Sequence, residues 1–182
     1  RDETGELVDP FGGREDLEAR LLRHVSPAFR EDPVRILRVA RFAARFAPLG
    51  FSVADETRAL MREMVDAGEF DHLVPERVWQ EMVRALAEPA PARFFEVLHD
   101  CGGLAKLLPE LAGEMDGPDD GHALRALEAA TEISEDPRIR FAALLQAAVP
   151  PEGGERLEEI CDALRVPNEY RELAALAHRL GG

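Results

Sequence analysis

The chain has 182 residues, 46% hydrophobic and 32% charged, and its 36 acids against 22 bases leave a formal charge of −14. That length allows one full core or two small helical units, and that charge excludes a surface coated for nucleic-acid binding. No apolar run reaches the ~20 residues of a membrane helix, Arg1-Asp2-Glu3-Thr4-Gly5 does not read as a signal peptide, and Cys101 and Cys161 lack any paired spacing. A reducing cytoplasm is the expected compartment, with no disulfide framework and no zinc knuckle.

Residues 1–13 stand apart from the rest of the chain. Glu6-Leu7-Val8-Asp9-Pro10 reads as a short strand and Phe11-Gly12-Gly13 as a turn. A lone strand has no partner in a helical chain, so a sheet-containing domain is expected upstream. Helices are then expected in series: Glu15–His24, Pro33–Phe46, Ala54–Ala67, Pro75–Ala87 and Ala92–Cys101, then a short turn over Leu104–Leu108 leading into Pro109–Glu114. Gly113–Gly121 reads as a flexible loop. His122–Ser134, Pro137–Ala148, Glu155–Leu164 and Pro167–Leu180 complete an all-α pattern without a fixed repeat. The break at Glu88–Pro91 divides it into residues 14–88 and 92–182.

The charge is unevenly spread. Between Arg14 and Gly50 eight arginines meet five acids, so the rest of the chain carries −17. Lys106 is the only lysine, which suits either a salt-rich cytoplasm or GC-rich codon usage. On a helical wheel Arg35, Arg38, Arg41 and Arg45 share about one third of the circumference, with Ile36, Leu37, Val39, Ala40, Ala43, Ala44 and Phe46 expected on the opposite side. Such a stripe is most often a solvated face. Here no acid interleaves the four arginines, like charges at this spacing repel, and phosphates are the expected compensation.

Phe29-Arg30-Glu31-Asp32-Pro33-Val34-Arg35-Ile36-Leu37-Arg38-Val39-Ala40-Arg41-Phe42 resembles the neck motif of bacterial class II nucleotidyltransferases, the family of CCA-adding enzymes and poly(A) polymerases. The resemblance extends to Leu7-Val8-Asp9-Pro10-Phe11-Gly12-Gly13, Leu22-Arg23-His24-Val25, Leu49-Gly50-Phe51, Pro75-Glu76-Arg77-Val78-Trp79-Gln80-Glu81 and Leu107-Leu108-Pro109-Glu110. In this order over some 110 residues the motifs are specific in combination. The resemblance implies the helical neck and body of such an enzyme, with residues 1–13 the remnant of a link to its catalytic head. It further implies ATP or CTP as substrates, Mg2+ in the head, and tRNA or another RNA 3′ end as partner. No DNA and no membrane are implied.

In that family the Asp and Arg of Glu31-Asp32-x-x-Arg35 read the incoming base. The chemistry is consistent: cytosine and adenine each set an exocyclic amine beside a ring-nitrogen acceptor, matching a carboxylate and a guanidinium. Uracil and guanine reverse the pattern and leave both groups mispaired, at a cost of several kcal/mol by order of magnitude. Asp32 before Pro33 is equally a helix N-cap, and a carboxylate can serve both ends. Arg38 is expected to help hold the triphosphate or the pair, and Arg41 and Arg45 to meet RNA. Glu76, Arg77 and Glu81 are expected to support the site, with Trp79 in the core.

Two absences complete the expectation. Nucleotidyl transfer needs two metal-binding carboxylates, and the 182 residues hold no Gly-Ser turn and no Asp-x-Asp pair; Asp119-Asp120 sits in a loop. Many relatives also carry a His-Asp phosphohydrolase. Where its His-Asp pair should stand this chain has Gln146-Ala147, leaving His122 as the only ligand candidate, and one His makes a poor metal site. His99-Asp100 lacks partner ligands. The expected function is therefore nucleotide selection and RNA binding without catalysis by these residues, the alternative being a separate helical RNA- or protein-binding module.

Overall fold

The computed structural model describes residues 8–118 and 121–181. The expected strand at 6–10 thus lies partly outside the described residues, as do Asp119 and Asp120. Eleven α-helices follow one another in the described chain: α1 Gly13–Ala19, α2 Val34–Phe46, α3 Asp55–Asp66, α4 Pro75–Leu86, α5 Ala92–Asp100, α6 Leu104–Leu107, α7 Pro109–Met115, α8 His122–Ile133, α9 Pro137–Ala148, α10 Gly154–Ala163 and α11 Asn168–Leu180. The all-α pattern is what forms.

The first helix differs from expectation. Instead of running to His24 it stops at Ala19, because Arg20 adopts a left-handed conformation (φ 56°) and turns the chain. Leu21–Leu22 (β1) then pairs in parallel with Ser52–Val53 (β2). The carbonyls of Arg20 and Leu22 accept from the amides of Ser52 and Ala54, both at 3.0 Å. Gly50 (φ 82°) supplies the bend after α2 that brings Ser52 alongside. The loop expected at 113–121 is also shorter, since α7 continues through Met115.

α2 buries Val34, Ile36, Leu37, Ala40, Ala43 and Ala44 against α4 and α5. Its alanines let the neighbours approach closely, and the amide of Ala90, in the link between α4 and α5, donates to the carbonyl of Ala44 at 3.1 Å. The core runs across the break at Glu88–Pro91. Buried side chains from Phe29 to Ala174 form one continuous cluster. Trp79 of α4 meets Phe141 of α9 and Tyr170 of α11 edge-on, with ring centroids 5.1 and 4.9 Å apart.

A buried cation reinforces the same joint. Arg140 of α9 donates to the carbonyls of Leu86 (2.7 Å), Glu88 (3.1 Å) and Ser134 (2.8 Å). The first two are carbonyls that the end of α4 leaves without helical partners, and burial pushes the Arg140 guanidinium below its ordinary value. Arg140→Met removes these donors and strands buried acceptors. It is expected to cost about 3 kcal/mol in urea unfolding, and an unchanged midpoint would contradict this staple.

Candidate functional site

Asp32 comes after a 3-10 turn over Pro27–Glu31 and has an extended backbone before Pro33. Its Oδ1 accepts the Val34 amide at 3.0 Å and its carbonyl accepts the Arg35 amide at 3.0 Å, so the carboxylate does cap α2. It is held as well from a second helix. Arg77 of α4 donates to Oδ2 at 2.8 Å and reaches Oδ1 at 3.4 Å. The Arg77 hydrogen bond, joined by the Val34 amide, holds the Asp32 carboxyl below the usual carboxylate range. Oδ2 keeps a free lone pair.

Arg35 turns its guanidinium to the carbonyl of Ala28 in the preceding turn. Asp32 and Arg35 therefore stand in one locality, each fixed by a different partner, and do not bond each other. Glu31 and Glu76 are exposed at the ends of their turns. Arg38 and Arg45 are exposed and Arg35 half-buried.

Arg41 departs from the expected phosphate-facing stripe. Its side chain is only 13% exposed and its Nε donates at 2.8 Å to Oε2 of Glu81, itself 6% exposed. Its Nη1 lies 3.5 Å from Oε1 of Glu88. The compensation expected from phosphates comes instead, for Arg41, from acids 40 and 47 residues away on and after α4. Glu81 also draws Arg38 and Arg84, at 3.8 and 3.6 Å. Arg41 is accordingly a half-buried link between two helices, with its guanidinium turned to Glu81 and Glu88.

Beside the arginines lies an open groove of about 690 Å3. Arg35, Arg38, Val39, Phe42 and Phe46 of α2 form one wall, and Leu17, Leu22, His24, Phe29 and Phe51 contribute to the others. Phe11 and Leu17 at its mouth are 63% and 65% exposed. His24 is set by the fully buried Thr57, whose hydroxyl accepts the His24 amide at 3.1 Å and meets Nδ1 at 2.7 Å. Sequence reading passed over Phe42 as a site residue, although it falls on the arginine side of the wheel. An aromatic among arginines was the available signal.

In the second half, His122 is exposed at the first residue of α8. No group of three or more His, Cys, Asp or Glu side chains among the described residues is placed to hold a metal. The buried His178 of α11 meets the Pro150 carbonyl at 2.9 Å, which requires its proton on Nε2 and ties down the turn after α9.

Two outcomes are expected from this geometry. Because the Asp32 carboxyl is depressed, its stabilising contribution is present above the ordinary carboxylate value near 3.8 and is lost as pH falls through the depressed one. The stability deficit of Asp32→Asn should thus be seen at neutral pH and shrink below about pH 4; a deficit constant with pH would argue against the Arg77 pairing. Arg41→Ala should cost about 3 kcal/mol by leaving Glu81 buried without its close partner. Arg45→Ala should change stability by under about 0.5 kcal/mol, and equal effects in thermal unfolding would refute the distinction.

Comparison with known proteins agrees with this architecture. Residues 50–115 match a family model described as a probable RNA and SrmB-binding site of polymerase A. The multifunctional CCA protein of Thioalkalivibrio sulfidiphilus is 58% identical over 207 residues, covering 100% of this chain and 51% of the relative. That of Methylococcus capsulatus is 54% identical, with 98% and 48% covered. A solved tRNA nucleotidyltransferase, complexed with a primer tRNA and an incoming ATP analog, superposes with a TM-score of 0.68 at 26% identity, over 94% of this chain and 50% of that one. The chain spans about half the length of the curated relatives it matches. By sequence and by fold, then, it belongs with the class II tRNA nucleotidyltransferases, as their helical neck and body region.

Proposed function

We propose that the chain is the nucleotide-selecting and RNA-holding half of an enzyme that adds C, A or both to RNA 3′ ends, with tRNA the first candidate substrate. The observation that carries this reading is Asp32 held by Arg77 and the Val34 amide with a lone pair of Oδ2 still free, beside Arg35 on the groove wall. An amine of cytosine or adenine donates to Oδ2. Arg35, released from the Ala28 carbonyl, donates to the neighbouring ring nitrogen. Arg77 acts by positioning: it fixes the carboxylate so that little is lost in ordering it when the base arrives. CTP and ATP are the substrates this pairing accepts.

The bond-making step belongs to a catalytic head outside these residues. Mg2+ there would activate the primer hydroxyl and neutralise the triphosphate. The described residues do not fit that role, since they hold no group of three or more His, Cys, Asp or Glu placed for a metal. The exposed apolar rim of the groove, Phe11, Leu17 and Leu49, is where the head is placed in this reading. Arg45, free of any acid partner among the described residues and stacked over Phe46 at 5.5 Å, faces RNA. Such an enzyme works on tRNA in the cytoplasm.

In the head-containing protein, Arg35→Ala should lower the preference for CTP and ATP over UTP and GTP by at least about tenfold. Incorporation measured with each nucleotide separately is the test, and unchanged selectivity would sink the base-reading role.

A further inference from the structure

Arg84 of α4 lies outside the groove, yet its guanidinium converges with that of Arg38 on a single oxygen. Arg38 Nε stands 3.8 Å and Arg84 Nη1 3.6 Å from Oε1 of Glu81. Both separations exceed hydrogen-bond length, so neither guanidinium is committed to the carboxylate, whose other oxygen is taken by Arg41 at 2.8 Å. The two side chains are 58% and 60% exposed. Three guanidiniums here face two acids, Glu81 and Glu88, leaving a positive excess on a chain of formal charge −14. Two exposed guanidiniums gathered around one buried oxygen repel each other. An arriving anion relieves that repulsion, and the planar donor fork of arginine matches phosphate oxygens.

We propose that Arg38 and Arg84 together clamp one backbone phosphate of the bound RNA, with Glu81 orienting both from beneath. Arg38 lines the groove and Arg84 is not among its walls. The clamp therefore sits on the rim, where a strand whose 3′ end occupies the groove must leave it. A nucleoside triphosphate shares the phosphate chemistry, but the place of Arg84 off the groove favours the RNA strand. This inference rests on the reading of the chain as an RNA-holding half.

The test is the salt dependence of binding between the chain and a tRNA transcript. Loss of one phosphate contact lowers the slope of log K against log salt by about one. Arg84→Gln should show that drop with several-fold weaker binding at low salt, and Arg84→Lys should keep the slope. Arg179→Gln, at an exposed arginine of α11, should leave it unchanged. A normal slope for Arg84→Gln, or an equal drop for Arg179→Gln, overturns the clamp while leaving RNA binding intact. No RNA binding by the unaltered chain overturns both readings. A parallel titration with CTP and ATP separates the sources: weaker nucleotide binding by Arg84→Gln with normal RNA binding overturns the assignment to RNA.

Discussion

The buried carboxylate of Glu81 is the contact on which the arrangement of the site depends. Removing a carboxylate from water costs several kcal/mol and is offset only by close, well-oriented partners. Glu81 has such a partner in Arg41, at 2.8 Å and nearly as buried. The pair fixes how α2 is rotated against α4, since any turn of either helix would strand a charge. Asp32 meets Arg77 and Arg41 meets Glu81 and Glu88, so the two helices run side by side in the same sense. The register that satisfies Glu81 is thus the one that presents Asp32 to Arg77 several residues earlier. A charge pair in the interior sets the geometry of a carboxylate at the surface.

Most of the fold was legible along the chain because it is written in local signals. Pro33, Pro75, Pro109 and Pro137 stand at or next to helix starts, Gly50, Gly68 and Gly102 close turns, and the apolar face of α2 has helical spacing. What was not legible is non-local. Arg20 turns the chain so that Leu21–Leu22 can pair with Ser52–Val53, thirty residues on, and no helical wheel of 15–24 contains that partner. The acids that neutralise Arg41 are likewise distant in sequence, so the stripe looked uncompensated. Asp32 was legible as a cap, and its motif singled it out for the reading role proposed above. Its anchoring by Arg77 was not, although both residues lay in motifs already singled out.

The second half of the chain supports the first through its packing. The side chain of Gln146 packs so closely on Gly181 that a Cβ there would collide with its Nε2. His178 donates from Nε2 to the Pro150 carbonyl and ties down the turn after α9. Other faces of α9 and α11 brace α4. Trp79 is wedged against Phe141 and Tyr170, and Arg140 takes up the carbonyls at the end of α4.

The acidity of the chain fits a local polyanion site. A surface of formal charge −14 repels RNA from most approaches. Screening limits that repulsion to about 8–10 Å at physiological salt, so exposed arginines at one edge are not cancelled by acids farther away. Arg38, Arg45 and Arg84 stand at the α2–α4 edge, with Glu81 and Glu88 the acids tied into that cluster. Attraction confined to one edge and repulsion elsewhere restrict a strand to few orientations. In the proposed function the groove and its rim would then meet the end of the strand and not its middle, as addition at a 3′ end requires.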